Sequence, residues 1–326
     1  MHCKHCYIES PNKLYDQIST DQAFFVIDKI MRNGINNFFI TGGEPLLRDD
    51  ILSIFQRIID KGGKITGIDS NGTILSGDII DFFKRNNIFI NISHDGVDFT
   101  NRNRGGNIED KVLESIKILV QAGIRTNINT AINPENLNGI IELFDVLKDI
   151  KINQWLLFTS FNTGLYKENF KMLSVNEEIE IYKILKNKWL CMNKPFEIRL
   201  GNVFDSMNSN AKWVNYVCEY FRDTISLFPD GQLTPCCKYI IHENYMEFPN
   251  IFKNSDDQIF KKSILAEIKN FAMERIFERN PECKDCDLLD TCNTGCRMEA
   301  YLCNKEMNLK DLRNCDLMKS SKEIAK

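Results

Sequence analysis

The chain has 326 residues, enough for one large domain and a smaller one around a sizeable core. Lys and Arg total 41 against 45 Asp and Glu, a formal charge of −4 with no basic run, which argues against a nucleic-acid partner. No apolar stretch reaches membrane-spanning length, and the opening Met-His-Cys-Lys-His-Cys has no signal-peptide character, so the chain reads as cytoplasmic with no membrane partner.

Helical and strand-like patterns alternate over the first ~190 residues. Ser19-Thr20-Asp21 is a cap signal for a helix running to about Asn33, with Phe24, Phe25, Ile27, Ile30 and Met31 as its apolar stripe. A strand over Asn37 to Thr41 ends in Gly42-Gly43. A helix near Asp49 to Lys61, a strand near Ile65 to Ile68, a helix near Gly77 to Arg85 and a strand Ile88 to Ser93 follow. After a loop come a helix Glu109 to Ala122, a strand Arg125 to Ala131, a helix Asn136 to Lys148 and a strand Trp155 to Thr159. Such alternation predicts an α/β fold, a parallel sheet covered by helices, open or closed into a barrel. Beyond Cys191 strand signals shorten, Pro229-Asp230-Gly231 marks a tight turn, and a helix is expected over Ser263 to Arg279. The texture shift places a domain boundary between residues 190 and 210, dividing the chain into 1–200 and 201–326.

Polar residues gather just after the strands: Gly42-Gly43-Glu44, Asn71, Ser93 to Asp95 and Asn129 to Asn133. Ordinary turn chemistry accounts for any one of them. Four on the edge where α/β proteins carry their active sites point to a site.

Twelve cysteines are the outstanding feature, nine of them from Cys218 onward. In a reducing compartment that count signals metal binding or catalysis. Cys283-x2-Cys286-x5-Cys292-x3-Cys296 is a spacing that binds zinc or an iron–sulfur cluster. Cys218 and Cys236 flank the Pro-Asp-Gly turn, as in a hairpin that brings two thiolates together, and Cys315 completes a set of seven. Seven does not divide into fours, so one coordination place is open or filled by another group. Cys3-x2-Cys6 is weak by itself and gains weight from Thr41-Gly42-Gly43-Glu44-Pro45 at the end of the first complete strand.

Together these residues resemble the radical S-adenosylmethionine (SAM) superfamily, and the C-terminal part resembles its SPASM domain. The SPASM pattern is met at every position: a cysteine, a Gly-x4-Cys, then Cys-x2-Cys-x5-Cys-x3-Cys and a last cysteine. The resemblance implies a partial (β/α)6 TIM-type barrel lacking its first strand, followed by a small cysteine-rich auxiliary-cluster domain. It implies three 4Fe-4S clusters, one binding SAM and two auxiliary. Cys3 and Cys6 match the last two cysteines of Cys-x3-Cys-x2-Cys. The first would lie ahead of Met1, so the resemblance implies an incomplete N-terminus, the alternative being a degenerate site. His5 takes the place that packs on adenine. Gly42, Gly43 and Glu44 match the segment receiving the methionine amino group, where a carboxylate meets an ammonium. Asn71 matches the Asn-Gly after the third barrel strand. Ser93 and Asp95 match a Ser-x-Asp-Gly segment near the ribose, and Arg104 would face the SAM carboxylate. By the same resemblance Cys283, Cys286, Cys292 and Cys315 hold the outer auxiliary cluster, and Cys218, Cys236 and Cys296 the inner one. The inner cluster then has an open iron, or recruits Cys191 or Cys237; Cys303 has no ligand role.

The function implied is reductive SAM cleavage and modification of a peptide or protein, by crosslinking or oxidation, with a flavodoxin- or ferredoxin-type electron donor. Sulfatase maturation is an alternative. There an Asp base directly follows the second SPASM cysteine; Cys237 stands at that place, which lowers the case for sulfatase maturation, and Cys237 is the candidate catalytic side chain. A cofactor-biosynthesis enzyme is another alternative. From other classes come an electron-transfer or scaffold protein with a defunct SAM site, and a zinc-binding interaction module.

Overall fold

Ser19 starts the first helix as its sequence predicts. Its hydroxyl accepts from Gln22 N–H (3.2 Å) while the Gln22 side chain accepts from Ser19 N–H (2.8 Å), a capping box at the head of α1 (Thr20–Arg32). The structure is a computed structural model that describes residues 3–8, 18–201, 203–206, 224–269 and 273–325. The chain divides into two units, Met1–Asn12 with Ser19–Met207, and Lys13–Ile18 with Asn208–Lys326.

In the first unit β1 (Asn37–Ile40), β2 (Lys64–Ser70), β3 (Phe89–Ser93), β4 (Thr126–Ile132), β5 (Gln154–Thr159) and β6 (Glu197–Leu200) run parallel. They lie in chain order, and β7 (Phe204–Asp205) closes the far edge antiparallel to β6. Between them come α2 (Ile51–Asp60), α3 (Gly77–Asn86), α4 (Phe99–Arg104), α5 (Glu109–Gln121), α6 (Leu137–Ile150), α7 (Gly164–Asn169) and α8 (Val175–Cys191). Right-handed crossovers taken in chain order set successive helices on one face of a sheet, which curls it towards a barrel. Ile68, Ile90, Ile92, Ile128, Trp155, Leu157, Ile198 and Leu200 form the apolar side, each at most 1% exposed. Their neighbours in sequence face the other way, because side chains alternate along a strand. The result is an α/β partial barrel.

Observed bounds fall within two residues of the expected ones for the elements up to β5. The loop expected before Glu109 instead holds α4. Six residues are too few to show a helical period, and α4 depends on local geometry. Asp98 enters it with φ +64°, and Asn101 Oδ1 accepts from Ile108 N–H (2.7 Å) and Glu109 N–H (2.9 Å), joining α4 to the start of α5. The strand–helix alternation also continues through α8, headed by a Ser174–Glu177 capping box, and β6.

The second unit holds short elements. The predicted hairpin is β8 (Ser226–Leu227) paired with β9 (Leu233–Thr234). Gly231 turns it at φ +88°, and Gln232 N–H donates to Asp230 Oδ1 at 3.0 Å. Helices α9 (Asp256–Phe260), α10 (Ile264–Lys269), α11 (Glu274–Arg279), α12 (Leu289–Cys292), α13 (Arg297–Asn304), α14 (Leu312–Ser320) and α15 (Lys322–Ala325) follow. The helix expected over Ser263 to Arg279 is thus seen as α10 and α11, on either side of residues 270–272, which lie outside the described residues. With little sheet available, polar anchors hold the chain. Arg297, 1% exposed, donates Nη1 to Met307 O (2.7 Å) and Leu309 O (2.9 Å), and its Nη2 reaches Thr294 O.

Gly96 and Gly139 decide how closely the β3–α4 turn sits on α6. Val97 N–H donates to Gly139 O at 3.0 Å, and a Cβ built on Gly139 would stand 2.5 Å from Val97 O. Alanine in place of a helical glycine ordinarily stabilises by about 1 kcal/mol. Here the overlap reverses the sign, and Gly139→Ala is expected to cost ~1–3 kcal/mol in urea unfolding.

Candidate active site and cluster centres

Cys3 and Cys6 sit on one tight turn, with Cys6 N–H donating to Cys3 O at 3.0 Å. The turn is docked by its backbone on two sides. Lys4 N–H donates to Asn103 O (2.8 Å) in α4, and Tyr166 N–H of α7 donates to Cys6 O (3.1 Å). Ser160 Oγ donates to His5 O (3.2 Å) and Thr163 Oγ1 to Tyr7 O (2.9 Å). Gly164, at φ +54°, lies so close that a Cβ there would stand 2.6 Å from the Tyr7 carbonyl carbon. Sequence reasoning missed Asn103, Ser160, Thr163, Gly164 and Tyr166. Their contacts join positions ~100 to 160 residues apart, and no local pattern reports such long-range closure.

Arg104, at the last turn of α4, meets Asp95 from the end of β3. Nη2 donates to Oδ1 at 2.9 Å and Nε stands 2.8 Å from Oδ2, with side-chain exposures of 9% and 0%. Burial pushes the Asp95 carboxyl up, and the Arg104 charge beside it more than offsets that, holding it below the usual carboxylate range. Arg104 Nη2 also lies 3.2 Å from His5 Nε2, while His5 Nδ1 is 3.7 Å from Asp95 Oδ2. Burial lowers the His5 pKa. The Arg104 charge is also felt at Cys3, Cys6 and Glu44, whose own pKa values burial raises.

Glu44 is 8% exposed and occupied by local donors. Oε1 accepts from Ser70 Oγ (2.9 Å) and Leu46 N–H (3.2 Å), and Oε2 from Asn71 N–H (2.6 Å). Asn71 in turn caps its own turn, accepting from Thr73 N–H and Thr73 Oγ1, each at 2.7 Å. Gly42, at φ +150°, and Gly43 face open space, so backbone is exposed beside Glu44. Ser93 ends β3 opposite Asn129. His5, Glu44, Asp95, Arg104 and the two cysteines therefore gather at the C-terminal edge of the strands.

In the second unit Cys283, Cys286, Cys292 and Cys315 line one cavity with Leu288, Leu289 and Met318. Zinc would draw its thiolates to about 2.3 Å from a single point. Four thiols around an apolar hollow fit a cube of irons, which spreads its ligands over four metal atoms. Burial raises Cys292 to about 11, and Asn314 Nδ2 donates to its sulfur at 3.3 Å. Cys236, 8% exposed, follows β9, and burial raises its pKa, with Cys237 and Cys296 adding to the rise. Lys238 Nζ stands 3.8 Å from Cys296 Sγ. Cys218 lies outside the described residues. Cys237 and Cys303 are exposed in this unit, and Cys191 is exposed at the end of α8 in the first.

A parallel α/β partial barrel with thiols and paired charges at its strand ends, and a cysteine cavity in a second unit, define a class of iron–sulfur protein. Residues 1–147 match the radical SAM superfamily, and residues 218–287 match the SPASM model, an iron–sulfur cluster-binding domain. A probable GTP 3′,8-cyclase of Sulfolobus acidocaldarius is 31% identical over 284 residues, 83% of this chain and 87% of the relative. The chain belongs to the radical SAM superfamily and carries a SPASM domain; its cofactors are 4Fe-4S clusters and SAM. An AdoMet-dependent heme synthase of Nitratidesulfovibrio vulgaris is 28% identical over 167 residues, and the chain spans 45% of that relative's length. The fold matches that of Streptococcus suis SuiB bound to precursor peptide SuiA (TM-score 0.73, 17% identity, 96% of this chain, 72% of that one). It also matches anSMEcpe with bound AdoMet and a Cp18Cys peptide (TM-score 0.68, 18%, 99% and 94%). Among the described residues no helix is long and apolar enough to cross a membrane.

His94, wholly buried beside Asp95, accepts at Nδ1 from Gly96 N–H (3.3 Å), and burial lowers its pKa from 6.5 to about 4. A depressed histidine stabilises the fold fully above about 6.5 and loses that contribution as pH falls towards 4, here about 3 kcal/mol. Urea midpoints are expected to fall between pH 7 and 4.5, with His94→Gln flattening that slope by up to one proton.

Proposed function

We propose that the first unit binds SAM at the strand ends and that the chain modifies a peptide or protein, by crosslinking or oxidation. One observation carries this reading: Cys3, Cys6, Glu44, Asp95 and Arg104 gather at one edge of the sheet, within reach of a single arginine's field. Cys3 and Cys6 would supply thiolates to the SAM cluster, which when bound would supply the electron for reductive cleavage of SAM and so the radical chemistry needed to take hydrogen from a substrate. Glu44, whose carboxyl is raised by burial, gains from an ammonium beside it. Arg104 keeps Nη1 for the SAM carboxylate, its other donors being turned to Asp95 and His5. His5, Gly42, Gly43, Asn71, Ser93 and Asp95 shape the remaining walls.

Cys283, Cys286, Cys292 and Cys315 would hold the outer auxiliary cluster, and Cys218, Cys236 and Cys296 the inner one. Cys237, exposed next to Cys236, would serve as catalytic side chain or fourth ligand. A peptide substrate is favoured by the peptide-bound neighbours, SuiB with SuiA and anSMEcpe with Cp18Cys. A flavodoxin- or ferredoxin-type donor suits the reductive first step, and a cytoplasmic setting suits eleven described cysteines that are all free thiols.

The reading is tested by 5′-deoxyadenosine release from the anaerobically reconstituted chain given SAM and a strong reductant. Release is expected for this chain or for one extended upstream by a cysteine four residues before Cys3. Silence from both would leave an electron-transfer or scaffold protein. Cys292→Ala is expected to remove about four irons per chain in a metal analysis; an unchanged iron content would refute the outer ligand set.

A further inference from the structure

Five polar residues stand in line on the sheet face opposite its apolar side. Asp69 pairs in register with Asn91, Asn91 with Asn127, Asn127 with Gln154 and Gln154 with Glu197, one residue from each strand from β2 to β6. Their amides run in one direction. Asn127 Nδ2 donates to Asn91 Oδ1 at 2.9 Å, and Asn91 Nδ2 donates to Asp69 Oδ1 at 2.8 Å. Asn129, from the next row, reaches the same oxygen at 3.4 Å, and Thr41, just before Gly42, also bonds the Asp69 carboxyl.

All these donors are neutral. No Lys, Arg or His of the described residues forms an ion pair with Asp69, and burial raises its pKa with no charged neighbour contributing. Asp95, buried just after the neighbouring strand, has Arg104; among the described residues Asp69 has no such partner. A recessed carboxylate ordinarily takes a counter-charge. A second group on the row is also incomplete: Asn127 is 5% exposed and its Oδ1 has no hydrogen-bond partner. Asp69 and Asn127 are two strand spacings apart, roughly 10 Å between their backbones. A ligand using both must be longer than a simple amine.

We infer that this row is a substrate subsite for a lysine or arginine residue, with Asp69 as counter-charge to its cationic end and Asn127 Oδ1 accepting an N–H nearer its backbone. The inference rests on the proposed modification of a peptide in this unit, and it adds what kind of residue is held. Thr41 links the subsite to the Gly42-Gly43-Glu44 segment, so the held residue would lie beside the SAM site. SAM carries an ammonium of its own, and the test separates the two sources.

The chain, isotope-labelled and without added SAM, is titrated with N-acetyl-lysine N-methylamide and with its neutral analogue N-acetyl-norleucine N-methylamide. Side-chain amide signals of Asn91 and Asn127 are followed by NMR. Saturable shifts are expected for the lysine amide alone, with affinity falling about tenfold or more in Asp69→Asn, which keeps the size and the Asn91 bond. Equal response to both probes in the unaltered chain would overturn the proposal, and that comparison needs no variant to fold. Equilibrium dialysis of SAM on the reconstituted chain supplies the second arm. SAM binding is expected to survive Asp69→Asn; loss of SAM binding with lysine binding unchanged would assign the carboxylate to SAM instead. SAM failing to bind the unaltered chain would count against the radical SAM reading alone, because the lysine titration is scored without it.

Discussion

A guanidinium and a carboxylate with almost no access to water are tolerable only when they neutralise each other, and Arg104 and Asp95 do so where three segments meet. Asp95 follows β3, Arg104 ends α4, and His5 of the cysteine turn reaches both. Breaking either charge would leave the other stranded, so the pair holds α4 against the sheet and gives the turn a fixed floor. The backbone bond from Lys4 to Asn103, one residue before Arg104, ties the turn to the same short helix. The placing of two cysteines thus depends on one ion pair and the close approach of Gly139 to the β3–α4 turn on one side, and on the contacts of Ser160, Thr163, Gly164 and Tyr166 on the other.

Asp95 and Glu44 meet burial differently. Asp95 is relieved by charge, Glu44 by three hydrogen bonds from Ser70, Leu46 and Asn71. Neutral donors relieve a carboxylate less than an opposite charge does, which is why burial still raises Glu44 while Asp95 is lowered. A site that holds one acid firmly ionised and leaves another short of charge is prepared for a positively charged guest at the second.

The second unit solves another problem. Its described strands are two residues long, so backbone groups find few ladder partners. Arg297, Asn280 and Asp311 take that role, each bonding backbone atoms of neighbouring loops. These anchors hold the segments that carry Cys292 and Cys315 around a small apolar hollow. Thiolate spacing and polar anchoring do there what a large core does in the first unit.

Much of this was legible in the sequence because it is local. Period-2 and period-3.6 patterns located the elements through β5, Ser19-Thr20-Asp21 announced a helix cap, and the Pro229-Asp230-Gly231 turn announced the hairpin. Cysteine spacing identified the SPASM pattern since it is itself a statement about neighbouring residues. The helix α4 was not legible, because six residues show no period, its entry is a left-handed Asp98, and it is tied to the start of α5 through Asn101. Nor could the docking of the cysteine turn by Ser160, Thr163 and Gly164 be read, or the in-register row from Asp69 to Glu197. Those depend on which strands become neighbours and in what register. Side-chain alternation fixes only which residues share a face; it takes the folded sheet to bring residues from five strands into one line. The sequence by itself determined the elements, the family pattern and the candidate residues. The tertiary structure alone decided that Arg104 spends most of its donors on Asp95 and His5, and that Asp69 stands without a counter-charge, because pairing between distant segments is settled by packing and not by any local code.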